Sequence, residues 1–485
     1  MISERSLKLF KEVADNIPAY KQFLSDHNCS AKDIKSVESF NKMVPLSDKK
    51  SYLSKNKQED LIWKSDLNDL LLFCATSGST GEPYYFPRNE QLSKQYSYLI
   101  EDYLKYSSYG RGKTLVIIGF GMGVWIGGII TLRAFEIAAQ RMKAPIAILP
   151  TGFNKTEIFK ALKKLAPDFD QTVIVGYPPF VKELVDEASS ESIDLAKLKV
   201  RFLFAAESFT ELFRDYVCQK AGITNPLRDT LNVYGSADNG AMAYETPLSI
   251  LIRRLILDDP FLRKDVFRQI EKTPTLAQYN PDYIEFEEVN GEIVLTADGA
   301  LPLIRYAIGD HGGVFDYGAV FKILKQYNID LDAEIMKSGI APIANKNYPF
   351  VFVYERKDLT ATLQGINIYP EFIKEGLLQD DFPRYFTQRF QMSTKYTVQQ
   401  DQFLQINLEL QKNITSTKEL ERMALKTLHA QLVEKSSEFA EVSKNKSSTK
   451  LLQIKLWPNG HHRYFAAGTK QKWVEKRELL KKDPI

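Results

Sequence analysis

TLVIIGFGMGVWIGGIITLRAFEIAAQRMKAPIAIL, residues 114–149, is the stretch that decides the fold. Its first five residues read as a buried strand, Gly119, Gly121 and Gly123 break the apolar run, residues 129–142 have the character of a helix, and a second apolar run follows Pro145. Residues 115–132 carry no charge and border on the length of a membrane-spanning helix. The glycines make a buried strand followed by a buried helix the better reading. The same unit recurs downstream, with strands predicted at 171–175 and 200–204 and helices at 155–165 and 180–188. Such alternation predicts parallel strands joined by right-handed crossovers, an open α/β sheet covered on both faces. Ligands in such sheets bind beyond the carboxyl ends of the strands.

Working outward, the pattern changes at residues 283–296, where two β-rich runs flank Asn290-Gly291, a strong hairpin turn signal. The architecture is expected to become antiparallel there. After Tyr354 comes a third regime: a short strand, a helix from Pro370, an alternating strand at 402–410 and a long charged helix at about 416–435. This reads as a compact α+β domain. The boundary falls near residues 355–358, giving a large N-terminal domain, 1–354, and a small C-terminal one, 355–485. Residues 443–450, rich in Ser, Lys and Thr, read as a surface loop.

At 485 residues the chain exceeds what one core accommodates, and two domains are the default. Its 44% hydrophobic and 26% charged residues are ordinary for a soluble globular protein. The 64 basic and 61 acidic residues are dispersed, so the net charge of +3 gives no case for nucleic acid or an anionic membrane as partner. Cys29, Cys74 and Cys218 are too few and too scattered for a disulfide framework or a metal pair, and a reducing cytoplasm fits them best. The N-terminus lacks the basic-then-apolar order of a signal peptide. A small-molecule substrate is the expected partner.

The strongest local signal for chemistry is Ala75-Thr76-Ser77-Gly78-Ser79-Thr80-Gly81-Glu82-Pro83. Hydroxyl side chains alternating with glycines let backbone N–H and side-chain O–H donors converge on an anion, which suits a polyphosphate. It is not a Walker loop, because no lysine follows Gly81. Taken alone, the nine residues read more simply as a solvated turn. The run Gly119 to Gly123 fails the dinucleotide fingerprint, having a large residue where the third small one belongs.

In order along the chain, several motifs resemble the adenylate-forming superfamily, and within it the branch of phenylacetate-coenzyme A ligases and CapK-like proteins. They are Ile17-Pro18-Ala19-Tyr20, Val44-Pro45-Leu46-Ser47-Asp48-Lys49, the loop at 76–83, Ala205-Ala206-Glu207-Ser208, Asn232-Val233-Tyr234-Gly235-Ser236-Ala237-Asp238, PLIRYAIGD at 302–310, Arg356-Lys357-Asp358 with Gly365 to Pro370, and Gly468-Thr469-Lys470-Gln471-Lys472. The resemblance implies ATP-dependent activation of a carboxylic acid as its acyl adenylate, with Mg²⁺, followed by transfer to a thiol, coenzyme A being favoured. Delivery to an acyl carrier protein, adenylyl transfer to another acceptor, or a non-catalytic nucleotide-binding relative are the alternatives.

On that resemblance, residues 76–81 hold phosphates, Ala206 and Glu207 border adenine, and Tyr234 and Asn232 stack on it and read its edge. Gly235 and Ser236 complete that turn. Asp310 takes the ribose hydroxyls beside Arg356, and Asp238 holds Mg²⁺ where the family has glutamate. Ala237 lacks the family's hydroxyl. Lys470, preferred over Lys472, bridges the carboxylate and α-phosphate, and Asp358 is the hinge about which the small domain moves. Phe120, Met122, Trp125 and Tyr177 would line an apolar acyl site, or equally be plain core. With no acidic residue in 119–128, an aryl or fatty acid is favoured over an amino acid.

Overall fold

The computed structural model describes residues 3–64, 72–75, 84–123, 126–268, 273–340, 347–356, 361–379, 381–465 and 474. They form two compact units, one running to Arg356 and the other beginning at Ala361. Residues 76–81, Trp125, Asp358 and Lys470 lie outside the described residues.

The larger unit is built on a mixed sheet with eleven strands among the described residues. Ile146–Leu149, Thr114–Ile118, Gln171–Gly176, Val200–Ala205 and Thr230–Ser236 lie side by side in that order, all parallel. The expected strands are therefore present. The central ones are buried along their length because helices such as Ile126–Met142, Lys155–Lys164 and Pro178–Ala188 connect them. Among the described residues no helix is long and apolar enough to cross a membrane. Within the apolar stretch at 115–132, residues up to Ile118 belong to a strand and those from Ile126 to a helix.

From Thr230–Ser236 onward the sheet turns antiparallel, through Gly240–Tyr244, Thr275–Gln278, Phe350–Arg356, Leu303–Phe315, Glu292–Ala297 and Ile284–Val289. The last hairpin closes through Asn290 and Gly291, with φ of 53° and 80°. Two successive positive φ values are what a type I′ turn needs, and asparagine followed by glycine supplies them.

Beneath the change of direction lies a buried ion network. Arg214 binds Glu211 at 2.9 Å and Glu245 at 2.8 Å, and Arg253 binds Glu211 at 2.7 Å. Burial alone would raise the Glu211 pKa. The guanidinium groups of Arg214, Arg253 and Arg254 outweigh it and hold the carboxyl at about 2.

In the smaller unit, Phe386–Tyr396 and Gln402–Leu410 pair antiparallel, and Leu452–Trp457 joins parallel to the latter. The helices Pro370–Gly376 and Lys418–Lys435 pack on a core that includes Leu404, Ile406, Leu428 and Leu432. Thr417 caps the long helix by accepting the N–H of Leu420. The surface loop expected at 443–450 is only partly a loop, since Ser448–Leu451 is a helical turn. Its Leu451 is buried, which draws the backbone into a turn that composition alone does not announce.

Removing Arg214 leaves two buried carboxylates short of their counter-charge. Arg214→Ala is expected to cost about 3–5 kcal/mol, measured as a shift in the urea-unfolding midpoint. Glu211 has a depressed folded-state pKa, so its contribution is present at neutral pH. It should be lost as pH falls from about 4.5, the ordinary carboxyl value, toward 2.

Candidate functional site

Strand Val200–Ala205 ends at Ala206, whose φ of 72° lies in the left-handed region. A non-glycine residue there costs about 1–2 kcal/mol, and such strain concentrates at functional positions. The turn exposes the carbonyl of Glu207, which accepts the side-chain N–H of Asn232 at 2.9 Å. That contact fixes the orientation of the Asn232 amide, and its Oδ1 is buried with no protein donor. The Asn232 backbone N–H is itself held by Glu245 at 2.9 Å. The network under the sheet therefore sets the strand carrying Asn232, Tyr234 and Ser236.

Two residues on, the Tyr234 hydroxyl donates to Asp310 Oδ2 at 2.5 Å, joining this strand to Leu303–Phe315. Asp310 is 6% exposed and is the register partner of Arg356 on the neighbouring strand. Gly235 is required by close approach: a Cβ there would lie 2.6 Å from the carbonyl oxygen of Gly240. The chain then turns, with Ser236 Oγ accepting the N–H groups of Asp238 and Asn239, both at 3.2 Å. Asp238, 8% exposed, accepts the Tyr306 hydroxyl at 2.7 Å.

Tyr306 faces Asp238 through a local distortion. Arg305 has a φ of 43° within an irregular stretch of its strand, and the segment containing Val44 and Ser47 fastens it. Ser47 N–H donates to the Arg305 carbonyl at 3.0 Å, Ala307 N–H to the Ser47 carbonyl at 2.8 Å, and Arg305 Nη1 to the Val44 carbonyl at 2.6 Å. Glu287 receives the other side of the Arg305 guanidinium at 2.8 and 3.0 Å. Two motifs some 260 residues apart thus form one packed unit.

Of the acyl-site candidates, Phe120, Met122 and Tyr177 follow the carboxyl ends of two neighbouring strands of the same sheet. Strand Thr114–Ile118 has the next strand in sequence on one side and the one after that on the other, so the winding direction switches beside it. There Phe120 meets Tyr177 with ring centroids 5.0 Å apart, and Tyr177 stacks on Phe153 at 5.6 Å. Met122, partly exposed, lies against Gly152. Phe120 is 1% exposed and sits in the core behind Tyr177. Phe153 was not singled out from the sequence. Its signal is Gly152, a left-handed turn residue at the end of a predicted strand.

Among the described residues no three His, Cys, Asp or Glu side chains cluster to hold a metal on their own. A lone carboxylate such as Asp238 matches Mg²⁺ bound mainly through phosphates, since Mg²⁺ typically uses one or two carboxylates plus substrate oxygens.

No protein-family profile matches the chain. It is 23% identical over 314 residues to a phenylacetate-coenzyme A ligase of Pseudomonas putida, and the match spans 63% of this chain and 64% of that protein. Among solved structures, 2-hydroxyisobutyryl-CoA ligase in complex with 2-HIB-AMP and CoA in the thioesterification state aligns over 98% of this chain and 88% of that one, with a TM-score of 0.64 and 16% identity. The same ligase in the postadenylation state with R3-HIB-AMP gives a TM-score of 0.52 at 15% identity over the same shares of the two chains. The fold is that of these ligase structures. In sequence the chain is similar to the phenylacetate-coenzyme A ligase, the group its motifs resemble.

Glycine at position 206 would adopt the observed backbone without the Cβ penalty. Ala206→Gly is expected to stabilise the protein by about 1 kcal/mol in urea unfolding, and Ala206→Val to destabilise it.

Proposed function

We propose that the protein is an AMP-forming acid–thiol ligase. A substrate carboxylate oxygen attacks the α-phosphorus of ATP, the bond to the β-phosphate oxygen breaks, and pyrophosphate leaves. The thiol of coenzyme A then attacks the acyl carbon of the resulting acyl adenylate, releasing AMP and a thioester. The observation that carries the reading is the contact of the Tyr234 hydroxyl with Asp310 at 2.5 Å, with Asn232 two residues earlier on the same strand and Asp238 on the turn that follows it. The similarity to a coenzyme A ligase favours that thiol over a carrier protein.

Each residue has a chemical task. The orphaned Asn232 Oδ1 is an acceptor suited to the exocyclic amine of adenine, and would meet an oxygen in guanine. Tyr234 offers its ring to the base, and Asp310 its carboxylate to the ribose hydroxyls. Asp238 would hold Mg²⁺ against the phosphates, where the ion would neutralise the charge that develops as pyrophosphate departs. Residues 76–81 would supply phosphate donors, and Lys470 the cation bridging carboxylate and α-phosphate. Asp358 would serve as the pivot that exchanges the two half-reactions. The rings of Phe153 and Tyr177 with Met122 favour an aryl or fatty acid. Three free cysteines fit a cytoplasmic setting.

Pyrophosphate release with a panel of carboxylates tests the reading. Release that depends on an aryl or fatty acid supports it, and none with any acid would sink it. In that assay Asp310→Ala should raise the KM for ATP about tenfold or more, as hydrogen bonds to a charged group are lost. Asp238→Ala should abolish adenylation and Asp238→Glu retain it.

Lys470 acts only while charge builds on the α-phosphate. Lys470→Ala should therefore slow acyl-adenylate formation about 10²–10³-fold while leaving thioester formation from supplied acyl adenylate nearly intact. Equal loss in both half-reactions would remove Lys470 from that role.

A further inference from the structure

The strands Leu72–Ala75 and Tyr85–Arg88 form a two-stranded sheet of their own, with Ala75 paired to Tyr85 and Leu72 to Arg88. In sequence, this hairpin encloses the Ser/Thr/Gly run at 76–83. Its last residue, Arg88, is 4% exposed, and its guanidinium reaches out of the hairpin to the turn that follows the strand Thr230–Ser236. Nη1 donates to the Asp238 carbonyl at 2.9 Å and Nη2 to the carbonyl of Ala237. Burial works against the charge on this group, while Cys74 and Asp238 favour it.

A cation here does two things that a neutral residue would not. It occupies two consecutive carbonyl oxygens, groups that repel phosphate, and it sets a positive charge against the turn carrying Asp238. The fork matters as much as the charge, because two parallel N–H groups bind two acceptors only in one geometry. We propose that Arg88 is a positioning residue for the phosphate-facing carboxylate of Asp238, locking the Ala237–Asp238 turn to the strand Tyr85–Arg88. This rests on the adenylate-forming reading of that site. It assigns a task to a residue outside every motif identified in the sequence.

The test compares two ligands by equilibrium titration: ATP with Mg²⁺, which engages the phosphate site, and adenosine, which has no phosphate. Arg88→Ala should weaken ATP·Mg²⁺ binding about tenfold or more, with adenosine changed less than twofold. Arg88→Lys, which keeps the charge but loses the fork, should fall between the alanine variant and the wild type, and guards against a folding defect in the alanine variant. Wild-type affinity for ATP·Mg²⁺ in Arg88→Lys together with a folded Arg88→Ala would overturn the proposal. So would a parallel loss of adenosine, which marks a general structural role. A wild-type protein that binds neither ligand would instead overturn the nucleotide reading itself, and with it this assignment.

Discussion

The peptide N–H of Asn232 is held by the buried carboxylate of Glu245, and much of the larger unit is arranged so that this bond can exist. Desolvating a carboxylate costs several kcal/mol unless opposite charges and hydrogen bonds compensate. Arg214 and Arg253 compensate here, and they in turn need Glu211. The helices Glu211–Ala221 and Pro247–Ile256 are therefore committed to one interaction, placed where the parallel half of the sheet gives way to the antiparallel half. The consequence is a strand whose exit is fixed. Downstream of it, Tyr234 reaches Asp310 and the turn presents Asp238.

Asp238 stands where the resemblance places glutamate. Its carboxylate takes the Tyr306 hydroxyl and its carbonyl takes Arg88, so both ends of the residue are held. Tyr306 can point there only because the strand is irregular at Arg305, and that irregularity persists because Ser47, Val44 and Glu287 satisfy the displaced groups. The segment at 44–49, which looks featureless as chemistry, thereby acts on the site through packing.

How much of this could be read in advance depends on the range of the interaction. The strands at 114–118 and 171–175 were legible because burial on both faces forces continuous apolar runs, and the hairpin at Asn290-Gly291 because its backbone demands those residue types. The roles suggested for Asn232, Tyr234, Asp238 and Asp310 came from their motifs, while their contacts with Glu207, Tyr306 and each other cross many residues of sequence and leave no periodic trace. The ion network was hidden for the same reason. Glu211 and Arg214 are one helical turn apart and could be paired from spacing, whereas Glu245 and Arg253 join them only through the fold. Arg88 was likewise invisible, since an arginine ending a short strand is ordinary in sequence, and for Phe153 the neighbouring Gly152 marks a turn without saying what the ring packs on.

The bond between Tyr234 and Asp310 would couple the two parts of the proposed nucleotide recognition. On the proposed reading the ring faces the base and the carboxylate faces the sugar, and a contact of 2.5 Å ties their positions together. A carboxylate has about four acceptor sites, so accepting the phenol is compatible with accepting ribose hydroxyls. The two strands that supply these residues belong to opposite halves of the sheet, and other strands separate them in the sheet order. On that reading base and ribose are held by residues from both halves of one sheet, so nucleotide recognition would draw on the whole larger unit rather than on a single loop.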